Sequence, residues 1–210
     1  MDKKIAIIAA SGIVALLAGL WYASLRTGGD IYAQCRQGQI AGGTGSIGGP
    51  FTLVDHTGRT VTDADVITGP TLLYFGYTFC PDICPADTAR NAEAVDLLEA
   101  EGYMVTPMMI SIDPQRDTPE MMADFIFNLH ERMIGLTGTA EQVKIASQAY
   151  KTYYRQHESD DEFYLVDHST FSYLVLPGPP PGGGTVAFFR REHTAGDIAA
   201  TTACFIDASS

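Results

Sequence analysis

Two cysteines separated by three residues have the spacing in this chain that most directly suggests chemistry. Cys80 and Cys84 follow an apolar run and stand at the predicted start of a helix. Residues four apart share one face of a helix, and a helix N-terminus stabilises a thiolate. The spacing is compatible with an inert disulfide, with a thiol–disulfide redox pair and with a site for a soft metal ion. On spacing alone, all three interpretations remain open.

A metal site at this pair would need a further ligand. Iron–sulfur clusters and structural zinc sites usually take four ligands, and Cys35 and Cys204 show no matching spacing. Cu(I) accepts two thiolates and a third ligand, and imidazole suits copper. His168, just before a predicted strand, is a candidate imidazole, but its position alone leaves that role open. For the other four histidines we expect solvated or helix-capping roles: His56, His130, His157 and His193.

The elements that must position these residues alternate between strands and helices. Apolar runs predict strands, and capping and stop signals predict helices. A capping box at Thr139 predicts a helix that runs to about Gln156. The pattern predicts an α/β fold with a mixed sheet flanked by helices. The predicted strands are residues 51–54, 59–61, 71–75, 105–112, 171–176 and 185–190, and the predicted helices are residues 85–101, 140–156 and 196–207 with a further helix that starts at Pro119.

The N-terminal segment has the composition of a membrane anchor. Residues 5–25 carry no charge, and about 20 helical residues cross a bilayer. Lys3 and Lys4 favour a cytoplasmic N-terminus, and Trp21 and Tyr22 suit the far interface. We therefore expect a retained anchor, with a cleaved signal peptide as the alternative. The predicted organisation is a cytoplasmic N-terminus, a transmembrane anchor, a glycine-rich linker and a globular domain, at residues 1–4, 5–25, 26–50 and 51–210.

The overall composition excludes several classes of protein. With 13 Lys and Arg against 25 Asp and Glu, the net charge is −12, which argues against nucleic acid as a partner. The same charge is repelled by anionic lipid, so that a membrane attachment must rest on the N-terminal helix. A hydrophobic content of 46% excludes wholesale disorder. Four cysteines are too few for a disulfide scaffold of this length.

Three motifs, taken in order, resemble the Sco/SenC family of membrane-anchored, thioredoxin-fold copper proteins that assist cytochrome c oxidase assembly. The motifs are residues 74–85, 111–119 and 166–169, and the resemblance covers about residues 47–191. It implies a thioredoxin-like mixed sheet. It also implies Cu(I) or Cu(II) ligation by Cys80, Cys84 and His168, with the two cysteines as a redox dithiol. Asp82 matches an acidic residue of the family beside the copper, and residues 113–119 match a loop beside the site, for which we expect a helix-capping role.

The resemblance also implies a function, a location and partners. The protein would receive copper from an upstream donor and deliver it to the copper-site subunit of cytochrome c oxidase, or reduce the cysteines of that subunit, or do both. It would lie in the bacterial inner membrane with its domain in the periplasm; the mitochondrial inner membrane is the less favoured location. The alternative is a metal-free thiol–disulfide oxidoreductase or redox signal transducer. This leaves open whether the protein is an enzyme or only a metallochaperone.

Two features depart from the family pattern. A Pro/Gly loop at residues 178–184 stands where the family has a short turn, which puts the hairpin and any partner contact there in doubt. Cys35 and Cys204 lie outside the family motifs. Two expectations remain open for them: both cysteines are free, or they pair and tie the linker to the last helix. Mapping of thiols after non-reducing digestion tests that pairing.

Overall fold

The structure is a computed structural model, and it describes residues 12–19, 21–22, 31–35, 47–157, 164–178 and 183–209. The chain divides into two units, residues 1–37 and 38–210. In the first unit, residues 12–19 and 21–22 are helical, and Ala33–Cys35 form a 3-10 turn.

The predicted anchor is only partly covered by the described residues. Residues 5–11, 20 and 23–25 lie outside them. Within the described ranges, no helix has both the length and the apolar character that a membrane span requires. The anchor and the division into segments around it therefore stay predictions.

The second unit is a mixed α/β domain built on a seven-stranded sheet. Its elements are β1 (Thr52–Asp55), β2 (Thr60–Thr62), α1 (Asp63–Val66), β3 (Thr71–Gly76), α2 (Ile83–Ala100), β4 (Thr106–Ser111), α3 (Pro119–Ile126), β5 (Ile134–Thr137), α4 (Ala140–Ala149), β6 (Tyr154–Gln156), β7 (Val166–His168), β8 (Ser172–Leu176), β9 (Gly184–Phe189) and α5 (Ala195–Ser209). The sheet has the order β2-β1-β5-β4-β3-β8-β9, and β6 pairs with β7 in a separate two-stranded sheet. The predicted mixed sheet with helices is confirmed.

Strand β3 is an interior strand of the sheet. It runs parallel to β4 and antiparallel to β8, and all six of its residues are buried. A strand covered on both faces has no need for alternating polar residues, and so its sequence reads as a continuous apolar run. Open α/β sheets usually carry their chemistry beyond the carboxyl end of such a strand. In this chain that position is the segment between β3 and α2, which contains Cys80.

The predicted capping box of α4 is confirmed, but the predicted length of the helix is wrong. Thr139 Oγ1 accepts a hydrogen bond from the Gln142 amide at 3.3 Å, and Gln142 Oε1 accepts one from the Thr139 amide at 2.8 Å. The helix ends at Ala149 instead of Gln156, and Lys151 adopts a left-handed φ of 56°. Residues 154–156 then pair with β7. Pairing with a distant strand overrides helix propensity here, and a local pattern does not report such pairing.

Candidate metal centre

The segment that links β3 to α2 brings the two cysteines of the motif together. Cys84 lies in the first turn of α2, and its backbone N–H donates a hydrogen bond to Cys80 Sγ at 3.2 Å. Cys84 is fully buried, whereas Cys80 keeps 7% of its surface exposed. The predicted helix start at Cys84 is observed, but Cys80 precedes the helix, so the two cysteines do not share a face of its first turn. Both are free thiols. Cys35 and Cys204 are each disulfide-bonded.

His168 approaches the thiols from the separate sheet formed by β6 and β7. Its Nε2 atom lies 3.4 Å from Cys84 Sγ. Its Nδ1 atom lies 2.9 Å from the carbonyl oxygen of Ser169, and a carbonyl only accepts hydrogen bonds, so we assign the ring hydrogen to Nδ1. Nε2 then presents its lone pair to the thiols, as a metal-binding imidazole does. One ligand atom from each of Cys80, Cys84 and His168 lies within 4.8 Å of the others.

The two thiols differ in their ionisation. The pKa of Cys80 is lowered to about 4, chiefly because the Cys84 thiol donates a hydrogen bond to it; burial opposes this, and hydrogen bonds from the backbone N–H groups of Cys84 and Asp82 add to it. The same thiol–thiol hydrogen bond, together with burial, raises the pKa of Cys84. At neutral pH the pair therefore holds a thiolate at the accessible sulfur and a thiol at the buried one. A nucleophile or a soft-metal ligand is available without further deprotonation.

Two tyrosines that precede the cysteines frame the imidazole. The rings of Tyr74 and Tyr77 meet the ring of His168 edge to face, with centroids at 6.2 and 5.9 Å. The Tyr74 hydroxyl donates a hydrogen bond to Asp87 at 3.2 Å, and the Tyr77 hydroxyl accepts one from the Val166 amide at 3.3 Å. Our sequence reasoning did not assign roles to these tyrosines. Their position within the first motif is the signal that was available.

The loop of residues 113–119 forms hydrogen bonds with the segment that contains Cys80. The Asp117 carboxylate accepts hydrogen bonds from the Thr78 amide at 3.1 Å and from the hydroxyls of Thr78 and Ser111 at 2.6 Å. Burial raises the pKa of Asp117. Thr118 Oγ1 accepts from the Met121 amide at 3.3 Å and caps α3, which confirms the predicted capping role. Sequence reasoning missed the contact of Asp117 with the cysteine segment.

Asp82 lies at the mouth of the site. It occupies the N-cap position of α2, but its side chain makes no capping hydrogen bond. Together with Cys80 and His168 it lines an open cavity of about 450 Å³. The side of the thiols that faces this cavity is therefore where an ion or another protein can approach.

The other four histidines have contacts elsewhere in the fold. His56 Nδ1 accepts a hydrogen bond from the Gly135 amide at 3.3 Å, and His157 pairs with Asp167 at 2.8 Å. His193 Nδ1 accepts a hydrogen bond from the Arg190 amide at 3.1 Å. His130 differs from the expectation of a solvated or capping residue, because its side chain is 5% exposed and lies against Asp96 and Glu99.

Two cysteines that follow an interior strand of a mixed sheet, together with an imidazole from a separate two-stranded sheet, define a thioredoxin-like protein equipped to hold a soft metal ion. The SCO1/SenC family model matches residues 40–207, and the chain belongs to this family. Protein SenC of Rhodobacter capsulatus is 45% identical over 210 residues, which cover 99% of this chain and 93% of that protein. The mitochondrial SCO1 homolog of Homo sapiens is 38% identical, with 96% of this chain and 65% of that protein covered.

Solved structures of Sco proteins, two of them with copper bound, show the same fold. ScoI of Arabidopsis thaliana with copper bound superposes with a TM-score of 0.71 at 38% identity, covering 77% of this chain and 98% of that one. Copper-bound yeast Sco1 gives 0.68 at 32% identity, covering 75% and 87%. BsSco, described as a member of the Sco family of cytochrome c oxidase assembly proteins, gives 0.63 at 27% identity, covering 82% and 98%.

Proposed function

We propose that Cys80, Cys84 and His168 bind one copper ion, which this protein carries to the copper-site subunit of cytochrome c oxidase. The observation that carries the proposal is the convergence of two sulfurs and an imidazole nitrogen within 4.8 Å, although the imidazole comes from 84 residues further along the chain than Cys84. Two thiolates and one imidazole suit Cu(I), and a structural zinc site would usually need a fourth protein ligand. The relatives crystallised with copper support the choice of metal.

The open cavity beside Cys80 is the side from which copper would pass to an acceptor protein. Three protein ligands leave one side of a bound ion facing the cavity, where an acceptor thiolate can replace them one at a time. The same opening would serve the upstream copper donor. Asp82, at its mouth, would meet the ion or the partner first.

A second function for the same pair follows from the ionisation of the two thiols. A thiolate at Cys80, with a pKa of about 4, can attack a disulfide of the oxidase subunit, forming a mixed disulfide and releasing one partner thiolate. Cys84 then loses its proton and attacks Cys80, which releases the second partner thiolate and leaves a Cys80–Cys84 disulfide. Two electrons pass to the partner, whose cysteines become able to bind copper. Without any metal, the same steps describe the alternative of a thiol–disulfide oxidoreductase or redox signal transducer.

For the location, we propose attachment to the bacterial inner membrane through residues 5–25, with the thiol domain in the periplasm. The uncharged run preceded by Lys3 and Lys4 supports this orientation, and the bacterial SenC relative spans nearly the whole chain. A linker at residues 26–50 would let the domain search for its target while the anchor raises its effective concentration at the membrane.

Metal analysis of the full chain in detergent tests the proposal. The wild-type protein should bind one equivalent of Cu(I) against a competing chelator under anaerobic conditions, and Cys80→Ser should lose this binding. A parallel assay measures reduction of a disulfide in a peptide that carries the copper-binding cysteines of the oxidase subunit. Disulfide reduction without stoichiometric copper binding would favour the metal-free alternative. Neither activity in the wild-type protein would refute both functions.

A further inference from the structure

The imidazole of the site is not held by the main sheet. His168 lies on β7, whose backbone pairs only with β6 among the described strands. The chain after His168 leads into β8, which pairs with β3, and side-chain contacts between β7 and the segment that follows β3 set the remaining distance between His168 and the cysteines. One such contact is the hydrogen bond from the Val166 amide to the Tyr77 hydroxyl. A second set of contacts centres on Arg116.

Arg116 lies among three aromatic rings that belong to both sides of the site. The central carbon of its guanidinium is 3.6 Å from the ring centroid of Tyr164, which precedes β7. It is also 4.8 Å from the ring of Phe79 and 5.7 Å from the ring of Tyr77, in the cysteine segment. A planar guanidinium stacks on aromatic faces, and such a contact strengthens when it is shielded from water. The side chain of Arg116 is only 11% exposed.

Asp113 fixes the position of both stacked groups. One of its carboxylate oxygens accepts a hydrogen bond from Arg116 Nε at 2.5 Å, and the other accepts one from the Tyr164 hydroxyl at 2.7 Å. Asp113 is itself 3% exposed. The carboxylate thus holds the arginine and the tyrosine against each other, in a geometry that a lysine would not reproduce because its ammonium is a point charge without a flat face.

From these contacts we infer that Arg116 is a positioning residue, which holds the strand carrying His168 against the segment carrying Cys80. This inference rests on the proposed copper site and adds a residue that does not touch the metal. Arg116 acts through His168, and it sets how closely the imidazole approaches the two sulfurs. Removal of the stack should leave the dithiol in place and loosen the imidazole.

Two substitutions in the full chain test the inference. Arg116→Lys keeps the charge and removes the flat stacking group, and Tyr164→Leu removes the ring while leaving the pair between Arg116 and Asp113. Arg59→Lys is the matched control, because Arg59 also pairs with a buried carboxylate, that of Asp55, but makes none of the aromatic contacts described here. If Arg116→Lys fails to fold, as judged by thermal unfolding, Tyr164→Leu carries the test.

The first readout needs no copper. Amide hydrogen exchange at Val166 in the metal-free protein should become at least about tenfold faster in Arg116→Lys and in Tyr164→Leu, since local opening of β7 becomes easier. Exchange should be unchanged in Arg59→Lys. Unchanged exchange in both variants at residue 116 and residue 164 would overturn the inference, whatever the protein does with copper.

The second readout is a coupling measurement. Arg116→Lys should weaken Cu(I) binding by about 10- to 100-fold, as loss of an outer partner of a metal ligand commonly does. In the His168→Ala background the same substitution should have almost no effect, because its target is already absent. Equal losses in both backgrounds would show a general structural role and would overturn the inference. Absence of copper binding in the wild-type protein would refute the proposed function, and the exchange measurement would still decide the role of Arg116.

Discussion

Among the residues that the structure describes, two groups of side chains have the composition of a metal site, yet they differ in what surrounds the histidine. Cys80, Cys84 and His168 form the first group, and Asp96, Glu99 and His130 form the second. In each group, one ligand atom from every residue lies within 4.8 Å of the others. Distance alone therefore does not separate them.

The partner of the second ring nitrogen separates the two groups. Nδ1 of His168 donates to a carbonyl oxygen, so that Nε2 offers a lone pair to the sulfurs. Nδ1 of His130 instead accepts a hydrogen bond from the Arg132 amide at 3.1 Å, which places the ring hydrogen on Nε2, facing Glu99 at 3.2 Å. A metal-binding imidazole must present a lone pair. The first group is thus prepared for a metal ion, and the second is an ion-pair network.

The charged side chains around the second group support the same distinction. Arg132 pairs with Glu99 and also donates a hydrogen bond to the Val105 carbonyl at 2.9 Å. The protein therefore supplies its own cation to the acidic group. A histidine close to two potential ligands is weak evidence for a metal site unless its tautomer and the neighbouring charges also fit.

The largest expected effect comes from removing each histidine in turn. His168→Ala should weaken Cu(I) binding by more than about 100-fold, since it removes a ligand rather than an outer partner, while the dithiol stays redox-active. His130→Ala should leave copper affinity unchanged and lower the free energy of unfolding by about 1 kcal/mol, because it removes a buried hydrogen-bonding ring.

Chelator competition and urea unfolding, run on both variants, measure the two effects. His130→Ala is the matched control for His168→Ala, since both remove a histidine that contacts two potential ligands. Equal copper affinities in the two variants would remove His168 from the site. A loss of copper binding in His130→Ala would overturn the distinction drawn from the tautomers.

The contrast between the two groups also shows which features of the site could be predicted from the sequence alone. The pairing of Cys80 with Cys84 is local, because a spacing of four at a helix start defines it, and it was predicted from the residues. His168 was singled out by a family motif, since its approach to Cys84 spans 84 residues. The tautomers of His168 and His130 depend on single backbone groups that lie beside the rings only after folding.

The same division holds for the fold. Buried strands such as β3 and capped helices such as α4 have local signals, and both were predicted. Strand β5 was not, and α4 was drawn too long because β6 owes its existence to pairing with β7. The stack of Arg116 on Tyr164 was also missed. Such contacts depend on the relative placement of distant segments, which no local pattern of hydrophobicity or capping encodes.

Next in expected size is the effect of filling the space behind the first group. A Cβ added to Gly76 would lie 2.7 Å from a ring carbon of Tyr74 and 3.1 Å from Cys84 Sγ, so the tyrosine ring or the sulfur must shift. We expect Gly76→Ala to lower the free energy of unfolding by about 1–3 kcal/mol, as overpacking of a core does, and to weaken Cu(I) binding. Gly69→Ala is the control, because nothing lies within 4 Å of its added Cβ. Urea unfolding measures the free energy of unfolding, and chelator competition measures the Cu(I) affinity. Wild-type values of both in Gly76→Ala would mean that the first group is loosely packed, and would contradict the prediction.

A smaller effect should come from pH, because copper must displace protons from the thiols. With the pKa of Cys80 lowered to about 4 and that of Cys84 raised, one thiol proton is lost for each Cu(I) bound at neutral pH. Affinity should therefore fall by about tenfold for each unit by which pH decreases, and more steeply below about pH 4, where Cys80 also becomes protonated. Calorimetric titrations in buffers of different ionisation enthalpy count the protons. An affinity independent of pH would mean that both thiols are already ionised, or that sulfur does not bind the metal.

The smallest expected effect lies at the exposed edge of the second group. Asp96 is 68% exposed and lies 3.6 Å from His130 Nε2, so water and salt screen the interaction, and Asp96→Asn should change the free energy of unfolding by less than about 0.5 kcal/mol. Glu99→Gln should cost more, about 1 kcal/mol, because Glu99 contacts both His130 and Arg132 and is half as exposed. Urea unfolding at low and high salt measures both, and only the Asp96 contribution should disappear with salt.

If Asp96→Asn instead abolished binding of added Zn(II), the second group would be a metal site after all, and the tautomer of His130 would have to change when the metal binds.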